Sequence, residues 1–216
     1  MRICGRELIL NRGISQNNMI PKTIYYTWVS DKPLPEEFQK FIDGWKEKMP
    51  DYELSHISLS NVIKSPFVSK SISMGKYALA GHYGRCERLY ATGGLYFDID
   101  IEVVKSFDEL LDEKMFIGRE DDGMVNNAVI GCEAGNPFMK ACLDYMDNID
   151  LDTPNIELET GPWMFNKLYK EFEVKVFPRE YFYPYHYTEK FYPECIKENT
   201  YAIHHWAGTW QALGNN

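Results

Sequence analysis

The sequence predicts an α/β fold in which one Rossmann-like mixed sheet is flanked by helices. Apolar strand patterns alternate with helical patterns along most of the chain. The first three are a strand, a helix and a strand, an order typical of a parallel pair covered by its connecting helix. A length of 216 residues suits a single domain with a sizeable core. We expect one domain over residues 19–216, preceded by a flexible leader or extension over residues 1–18.

The first predicted strand runs over residues 23–29, the first helix over 35–49 and the second strand over 52–57. Later patterns predict helices over 73–92, 136–146 and 160–172, and strands over 95–97, 115–118, 125–132 and 174–177. Two stretches lack a regular pattern. The polar residues 147–160 predict a mobile loop, and the Pro- and Tyr-rich residues 178–193 predict an irregular wall or lid.

Composition narrows the range of partners. The net charge of −9 and the isoelectric point near 5.1 argue against nucleic acid as a partner and against electrostatic docking on an anionic bilayer. No apolar run approaches the roughly 20 residues of a transmembrane segment, and no signal peptide is evident. The five scattered cysteines, without a CxxC pattern, predict free thiols in a reducing compartment. We therefore expect a cytoplasmic protein, with room for peripheral contact at the inner membrane face.

The most informative stretch reads ATGGLYFDIDIE, over residues 91–102. A helical pattern ends at two glycines, a short apolar strand follows, and Asp98-Ile99-Asp100 closes that strand. In extended backbone, residues two apart face the same way at about 6.6 Å, so both carboxylates point into one site while Ile99 packs behind them. Carboxylates this close repel each other unless a cation or a proton neutralises them. A hard divalent cation and a phosphate-bearing substrate are the natural complement.

The same stretch resembles the sugar-binding core of DXD-motif glycosyltransferases of the capsular-polysaccharide and initiating-mannosyltransferase type (glycosyltransferase family 32). The matching positions, all in register, are Arg85, Leu89-Tyr90, Gly93-Gly94, Tyr96, Asp98, Asp100 and Glu102. In one departure, Gly81-His82 stands where the family has Ser-Asp. Further similarity lies in 20–28, in 127–131 and in His204-His205-Trp206 with Trp210, so that the resemblance covers about residues 19–210.

The resemblance implies a GT-A-type fold and a retaining transferase. Its donor would be a nucleotide-sugar carrying a hexose or N-acetylhexosamine, with a UDP-sugar favoured and GDP-mannose as the other candidate. Its acceptor would be a saccharide or a lipid-linked saccharide, and its pathway the synthesis of a surface polysaccharide such as a capsule. The implied cofactor is Mn²⁺ or Mg²⁺.

The candidate site follows from these positions and from the late histidines. It comprises the catalytic residues Asp98, Asp100 and Arg85, the metal ligands Asp98, Asp100, His204 and His205, and the donor-binding residues Trp28, His82, Arg85, Tyr96, Asp98 and Asn127. Several have a purely structural alternative. Trp28 fits a core position as well as a ring stacked on the nucleotide base, and Arg85 fits an ion pair with Asp98 as well as a diphosphate contact. His82 fits a helix–helix contact, and either late histidine fits a packed position.

Two other functions are compatible with parts of the pattern. A catalytically degenerate nucleotide-sugar-binding domain would account for His82 in place of the family aspartate. A haloacid-dehalogenase-type phosphatase also has an apolar strand followed by DxD. That motif usually lies near the amino terminus and continues with small residues, whereas here about 70 family-like residues precede it and Ile101-Glu102 follows. The phosphatase is therefore disfavoured.

Overall fold

A computed structural model describes residues 19–208; the leader 1–18 and Trp210 lie outside the described residues. The chain forms a six-stranded sheet and a two-stranded sheet. The strands are β1 Thr23–Trp28, β2 Glu53–Ser58, β3 Gly94–Phe97, β4 Ile101–Val103, β5 Met115–Arg119, β6 Val125–Cys132, β7 Lys175–Phe177 and β8 Ala202–His204. The helices are α1 Glu36–Lys48, α2 Pro66–Ser73, α3 Tyr77–Thr92, α4 Pro137–Asn148, α5 Ile156–Glu159 and α6 Pro162–Leu168.

The large sheet has the order β2-β1-β3-β6-β5-β7, and β4 pairs with β8 in the small one. β1 is parallel to β2 and β3, β6 is antiparallel to β3 and β5, and β7 is parallel to β5. The predicted mixed sheet is thereby confirmed. The carboxyl ends of β1, β3, β5 and β7 and the amino end of β6 all meet at one edge, which is where open α/β sheets place their sites.

The sheet separates two apolar cores. One core lies between the sheet and helices α2, α3, α4 and α6, and the other lies against α1 and the small sheet. Strand alternation divides β3 between them, since Tyr96 faces the first core while Leu95 and Phe97 face the second. All three are fully buried, so β3 is a central strand that holds the residues after it in a fixed place.

The structure corrects the helix predicted over 73–92. Ser65 caps an additional helix, α2, by accepting a hydrogen bond from the amide of Val68, and Pro66 occupies its first turn. After α2 the backbone reverses at Gly75, which has a φ of 71°, and α3 begins at Tyr77. The helix predicted over 160–172 is also shorter, because α6 ends at Leu168 and continues as a 3₁₀ turn.

The predicted extended geometry of Asp98-Ile99-Asp100 is wrong. β3 ends at Phe97, and the amide of Ile101 donates to the carbonyl of Asp98 at 3.1 Å, which closes a turn over the motif. Ile99 still packs behind the two carboxylates, in a small apolar cluster with Trp28 and Phe38. A turn, not strand alternation, therefore brings the two aspartates to one side.

The glycine pair before β3 is required by close backbone contacts. Gly93 follows the last turn of α3 with a φ of 67°, as the sequence predicts for a helix C-cap, and Gly94 has a φ of 122°. A Cβ atom on Gly93 would lie 2.6 Å from the amide nitrogen of Ala134, and one on Gly94 would lie 2.7 Å from the carbonyl oxygen of Thr23. Without a side chain at either position, the start of β3 can pack directly against the backbone of these two neighbouring segments.

Over residues 19–208, none of the helices combines the length and the apolar character that crossing a membrane requires. Cys86, Cys132, Cys142 and Cys195 are buried and unpaired.

Candidate active site

The edge where β1, β3 and β5 end opens into a cavity of about 740 Å³. This volume lies in the usual range for small-molecule sites, about 300–1,000 Å³. Seven of the nine sequence-predicted site residues line the cavity: Trp28, His82, Arg85, Asp98, Asp100, Asn127 and His204. The other two, Tyr96 and His205, lie elsewhere.

A candidate metal centre lies at the middle of the cavity. One potential ligand atom from each of Asp98, Asp100 and His204 lies within 4.8 Å of the others. Two carboxylates and an imidazole form a donor set that suits Mn²⁺, and Mg²⁺ through the oxygens. The Asp98–Asp100 turn leads directly into β4. Because β8 pairs with β4 and His204 lies opposite Ile101, His204 lies beside this turn. The residues present therefore fit the divalent cation that the sequence implies.

Asp100 and His204 are electrostatically coupled. Nε2 of His204 lies 3.3 Å from Oδ1 of Asp100, and the amide of Ala207 donates to Oδ2 of Asp100 at 2.7 Å. Burial acts to raise the pKa of Asp100, but the charge and hydrogen bond of His204 outweigh it, so this pKa lies below its usual value. For His204, burial lowers the pKa, and the carboxylate of Asp100 more than offsets it, so this pKa is raised. Asp100 therefore stays ionised beside the candidate metal centre.

Arg85 is held in place from α3 beneath the cavity. Its Nη1 donates to the carbonyl of Asn127 at 3.0 Å and lies 3.5 Å from Oδ1 of Asp98. The guanidinium carbon lies 4.5 Å from the centre of the Tyr96 ring. Arg85 is only 5% exposed, and its Nε has no hydrogen-bond partner among the described residues. The structure thus contains the predicted ion pair with Asp98 and leaves the guanidinium on the cavity wall.

Tyr96 does not line the cavity, because its side chain is fully buried below the two aspartates. Its hydroxyl donates to Oδ1 of Asp98 at 2.7 Å and accepts from the hydroxyl of Thr27 at 2.8 Å. The arrangement makes Tyr96 a residue that orients Asp98, where the sequence suggests a direct donor contact.

His205 points away from the candidate metal centre. Its Nε2 lies 2.7 Å from Oε2 of Glu102, and its ring stacks on Phe41 at 5.0 Å, on the far side of the small sheet. Of the two histidines predicted as metal ligands, His204 lies beside Asp98 and Asp100, and His205 does not.

His82 lies where α3 meets the segment between α5 and α6. Its Nδ1 is 3.1 Å from Oγ1 of Thr160, whose own hydroxyl donates to the carbonyl of Ile156 at 2.8 Å. Nδ1 must therefore carry the proton, which leaves Nε2 as an acceptor. Burial, and then the charge of Arg85, hold the pKa of His82 well below 6.5. His82 is neutral, and it combines the predicted interhelical contact with a place on the cavity wall.

Trp28 lies in the predicted core position and also on the cavity wall. Its ring packs against Phe38 and Ile99, only 8% of it is exposed, and its Nε1 donates to the carbonyl of Lys32 at 2.8 Å. It also lines the end of the cavity formed by β1. A ring fixed in this way presents a rigid surface.

An irregularity in β6 aims two asparagines at the cavity. The β5–β6 register passes from Ile117 opposite Ile130 to Gly118 opposite Asn126, so β6 contains three more residues than β5 at this point. Bulges of this kind re-aim side chains near functional sites. The amide nitrogen Nδ2 of Asn127 is buried without a partner among the described residues, and Asn127 is one of the residues that line the cavity. A buried donor without a partner is unusual and makes Asn127 a candidate ligand-binding residue.

Sequence reasoning missed several residues on the cavity wall, among them Glu120, Glu157, Trp163 and His186. A signal existed for Glu120, because it follows the predicted strand 115–118, which ends at the site edge. His186 was placed only in an irregular wall. No pattern in the sequence pointed to Glu157 or Trp163.

Comparison with known proteins places this geometry in context. Residues 35–117 match the family model described as the glycosyltransferase sugar-binding region containing a DXD motif. Two curated relatives are similar to the chain. They are the initiation-specific alpha-1,6-mannosyltransferase of Candida albicans, 29% identical over 134 residues, and the inositol phosphoceramide mannosyltransferase 3 of Schizosaccharomyces pombe, 25% identical over 133 residues. The alignments cover 55% and 58% of this chain, but only 34% and 36% of those proteins.

Two solved structures share the fold. The PaToxG glycosyltransferase superposes with a TM-score of 0.62 at 24% identity, over 71% of this chain and 69% of that one. A glycosyltransferase involved in the glycosylation of the major capsid of PBCV-1 superposes with a TM-score of 0.54 at 12% identity, over 89% and 98%. At these identities the likeness shows the fold, which is of the expected GT-A type. Arg85, Asp98 and Asp100 lie inside the matched region, so this part of the chain is similar to the sugar-binding region of DXD-motif glycosyltransferases.

Proposed function

We propose that this chain is a metal-dependent, retaining glycosyltransferase that moves a hexose or N-acetylhexosamine from a nucleotide-sugar to a saccharide or lipid-linked acceptor. The observation that carries the proposal is the convergence of Asp98, Asp100 and His204 in a cavity that Arg85 also lines. Two carboxylates with a divalent cation, beside a buried guanidinium, complement a diphosphate. Both curated relatives are named as mannosyltransferases, which supports GDP-mannose as a donor beside the UDP-sugar that the resemblance favours.

The side chains have distinct tasks in this proposal. Asp98, Asp100 and His204 would hold Mn²⁺ or Mg²⁺, and the bound cation supplies Lewis-acid stabilisation of the leaving diphosphate. Arg85 provides a second positive charge that is already oriented by Asp98 and by the carbonyl of Asn127. Because it is nearly excluded from water, this charge acts more strongly on developing negative charge than an exposed one would.

The order of the strand ends suggests how the donor lies. Trp28, at the end of β1, is one strand spacing (about 4.8 Å) to one side of β3, and Asn127 in β6 is one spacing to the other side. We assign the nucleotide base to the side of Trp28, the diphosphate to the candidate metal centre, and the sugar to the region of Asn127. His82 and Arg85, one turn apart on α3, would accept from and donate to the donor between these points.

Retention places the acceptor hydroxyl on the face from which the diphosphate departs. The bond between the anomeric carbon and the diphosphate oxygen breaks, and a bond to the acceptor oxygen forms. The hydroxyl proton passes to the departing diphosphate, which takes the electron pair. No side chain needs to act as a nucleophile in this scheme.

Calorimetric titration of UDP and GDP in Mn²⁺ and in EDTA tests the metal and the donor together. We expect one of the two nucleotides to bind in Mn²⁺ and to lose at least tenfold in affinity in EDTA. Equal affinity in both solutions would overturn the metal assignment. Incubation with the matching nucleotide-sugars, followed by NMR of the anomeric proton of the product, tests both the donor and retention.

A catalytically degenerate nucleotide-sugar-binding domain is the second candidate, and His82 in place of the family aspartate favours it. A neutral imidazole leaves one fewer negative charge beside the donor than a carboxylate would. Turnover separates the two functions, since an active transferase releases free sugar from its donor even when water is the acceptor. A protein that binds the donor in Mn²⁺ and releases no sugar over many hours is the degenerate form.

The proposed setting is the cytoplasm, with peripheral contact at the inner membrane face during the synthesis of a surface polysaccharide. The buried, unpaired state of the four described cysteines supports a reducing compartment. Cell fractionation of the native protein tests this. Recovery of a secreted, disulfide-bonded form would contradict it.

A further inference from the structure

Glu120 is a largely buried carboxylate that the donor scheme does not use. Its side chain is 14% exposed and lines the cavity just beyond the end of β5. Oε2 accepts a hydrogen bond from Nδ2 of Asn126 at 2.7 Å, and Oδ1 of Asn126 accepts from the amide of Ala128 at 2.8 Å. Oε1 lies 3.8 Å from Nε2 of His186, too far for a hydrogen bond. One oxygen of a fixed carboxylate therefore remains free to accept.

The place of Glu120 in the sheet puts it beyond the donor. β6 lies between β3 and β5, so the end of β5 is two strand spacings, or about 10 Å, from the end of β3. Trp28 lies on the opposite side, next to β3. If the base lies at Trp28 and the diphosphate at Asp98 and Asp100, the transferred sugar extends toward Glu120. The attacking hydroxyl reaches the anomeric carbon beside the diphosphate, while another part of a bound acceptor can extend to Glu120.

Two independent observations indicate that this end of the cavity holds a ligand. The buried Nδ2 of Asn127 has no hydrogen-bond partner among the described residues, and Asn127 lines the cavity. Trp206 has a φ of 54°, a left-handed conformation that is rare outside glycine, and its Nε1 donates to the carbonyl of Tyr185 at 3.0 Å. Strained backbone of this kind clusters at ligand sites, and here it fixes an aromatic ring on the wall.

We propose that Glu120 accepts a hydrogen bond from a hydroxyl of the bound acceptor other than the attacking one, and that its end of the cavity takes an uncharged saccharide. This inference rests on the proposed function. A carboxylate accepts strongly from a hydroxyl, and Asp121, the next residue, adds a second carboxylate to the cavity lining that repels phosphate and carboxylate groups. The rings of Trp206 and Tyr187 offer apolar surfaces for the C–H faces of a pyranose.

Saturation-transfer NMR with two small probes tests the subsite. The protein is loaded with Mn²⁺ and with whichever of UDP and GDP binds, and is then titrated with methyl α-D-mannopyranoside or with mannose 6-phosphate. We expect the wild type to bind the neutral glycoside and to bind the phosphate at least tenfold more weakly. In Glu120→Gln the affinity for the glycoside should fall about tenfold, because a hydrogen bond to a charged group is replaced by one to a neutral amide.

The control is Glu47→Gln, which removes an exposed carboxylate from α1 and should change neither affinity. A transfer assay gives a second readout. With the matching nucleotide-sugar and the methyl glycoside as surrogate acceptor, the ratio of transfer to hydrolysis should fall in Glu120→Gln, recover partly in Glu120→Asp, and match the wild type in Glu47→Gln.

Two results with Glu120→Gln would overturn the inference: an unchanged affinity for the glycoside, or a nucleotide affinity that falls as much as the glycoside affinity. Two results with the wild type would also overturn it: equal affinities for mannose 6-phosphate and the glycoside, or no binding of the glycoside. Failure of the proposed function shows itself separately, as the absence of any metal-dependent binding of UDP or GDP.

Discussion

Nδ1 of His82 donates to Oγ1 of Thr160 at 3.1 Å, and this bond leaves Nε2 of the neutral ring as an acceptor on the cavity wall. The aspartate that the family resemblance implies at this position would likewise be only an acceptor when ionised. The substitution therefore preserves hydrogen-bond acceptance and removes a negative charge. Because the pKa of His82 lies well below 6.5, we expect its contribution to nucleotide-sugar affinity to be independent of pH between about 6.5 and 8.

Replacing His82 with glutamine should reduce the acid sensitivity of the fold. The native state keeps His82 neutral because of burial and the charge of Arg85, while the unfolded state takes up a proton below pH 6.5. The stability from this group is complete above pH 6.5 and is lost as the pH falls toward the native-state pKa. One pH unit below 6.5, the loss is at most about 1.4 kcal/mol. Denaturant unfolding at pH 7.5 and at pH 5.5 measures the effect. Between these two pH values, the free energy of unfolding should fall further for the wild type than for His82→Gln, and an equal fall in both would contradict this.

His204 and His205 are adjacent in the sequence, so their alanine variants form a matched pair that tests metal binding. Replacing His204 with alanine removes one of the three convergent ligand groups, so we expect at least a tenfold loss in Mn²⁺-dependent nucleotide affinity. His205→Ala should leave that affinity unchanged, because His205 contacts Glu102 and Phe41 on the other side of β8. Calorimetry of both variants in Mn²⁺ and EDTA measures the difference. An unchanged affinity in His204→Ala, or an equal loss in the two variants, would contradict the assignment of His204 as the ligating histidine.

Much of the fold was predictable because burial imposes a period on the sequence. The runs that became β1, β3 and β6 are apolar on both faces, as central strands of a covered sheet must be. The α2 helix was missed although Ser65-Pro66 is a helix-start signal. The Asp98–Asp100 turn was missed because period-2 reasoning assumes that a strand continues, whereas β3 ends at Phe97.

Site residues could be predicted where a local sequence motif contains them. Residues that reach the site through strand register or sheet order could not. Strand alternation requires His204 and His205 to face opposite ways, but the choice depends on the register of β8 against β4, which no local pattern encodes. Glu120 reaches the cavity through sheet order, and Trp163 reaches it through the packing of α6 beside β6. Such contacts between distant segments have no local signal.

Replacing Gly93 tests the backbone conformation before β3, and Gly44 in α1 serves as the comparison. Gly93→Ala should destabilise the protein by about 1–3 kcal/mol, because φ is 67° and the new Cβ would lie 2.6 Å from a backbone nitrogen. Gly44→Ala, inside α1 with no atom within 4 Å of its Cβ position, should stabilise it by up to about 1 kcal/mol. Denaturant melts compare the two. An unchanged free energy of unfolding in Gly93→Ala would mean that the end of α3 can move to accommodate the new Cβ without a loss of stability.

Conservative replacement of Arg85 tests whether its shape matters beyond its charge. The guanidinium lies over the ring of Tyr96 at 4.5 Å while Nη1 bonds to the carbonyl of Asn127 and faces Asp98. A lysine keeps the positive charge but has neither the planar face nor the fork, so it cannot hold all three contacts at once. We expect Arg85→Lys to destabilise the fold by about 1–3 kcal/mol, since buried polar groups lose a partner.

The same variant should bind the nucleotide at least tenfold more weakly in Mn²⁺, because both Asp98 and the cationic group lose their fixed orientation. Arg88→Lys is the matched control. Arg88 lies one turn later on α3, is one-third exposed and donates to the carbonyl of Asn61, away from the cavity. It should change stability by no more than about 0.5 kcal/mol and affinity not at all. If Arg85→Lys folds and binds as the wild type does, positive charge alone suffices at this position, and the planar group stacked on Tyr96 has no part in donor binding.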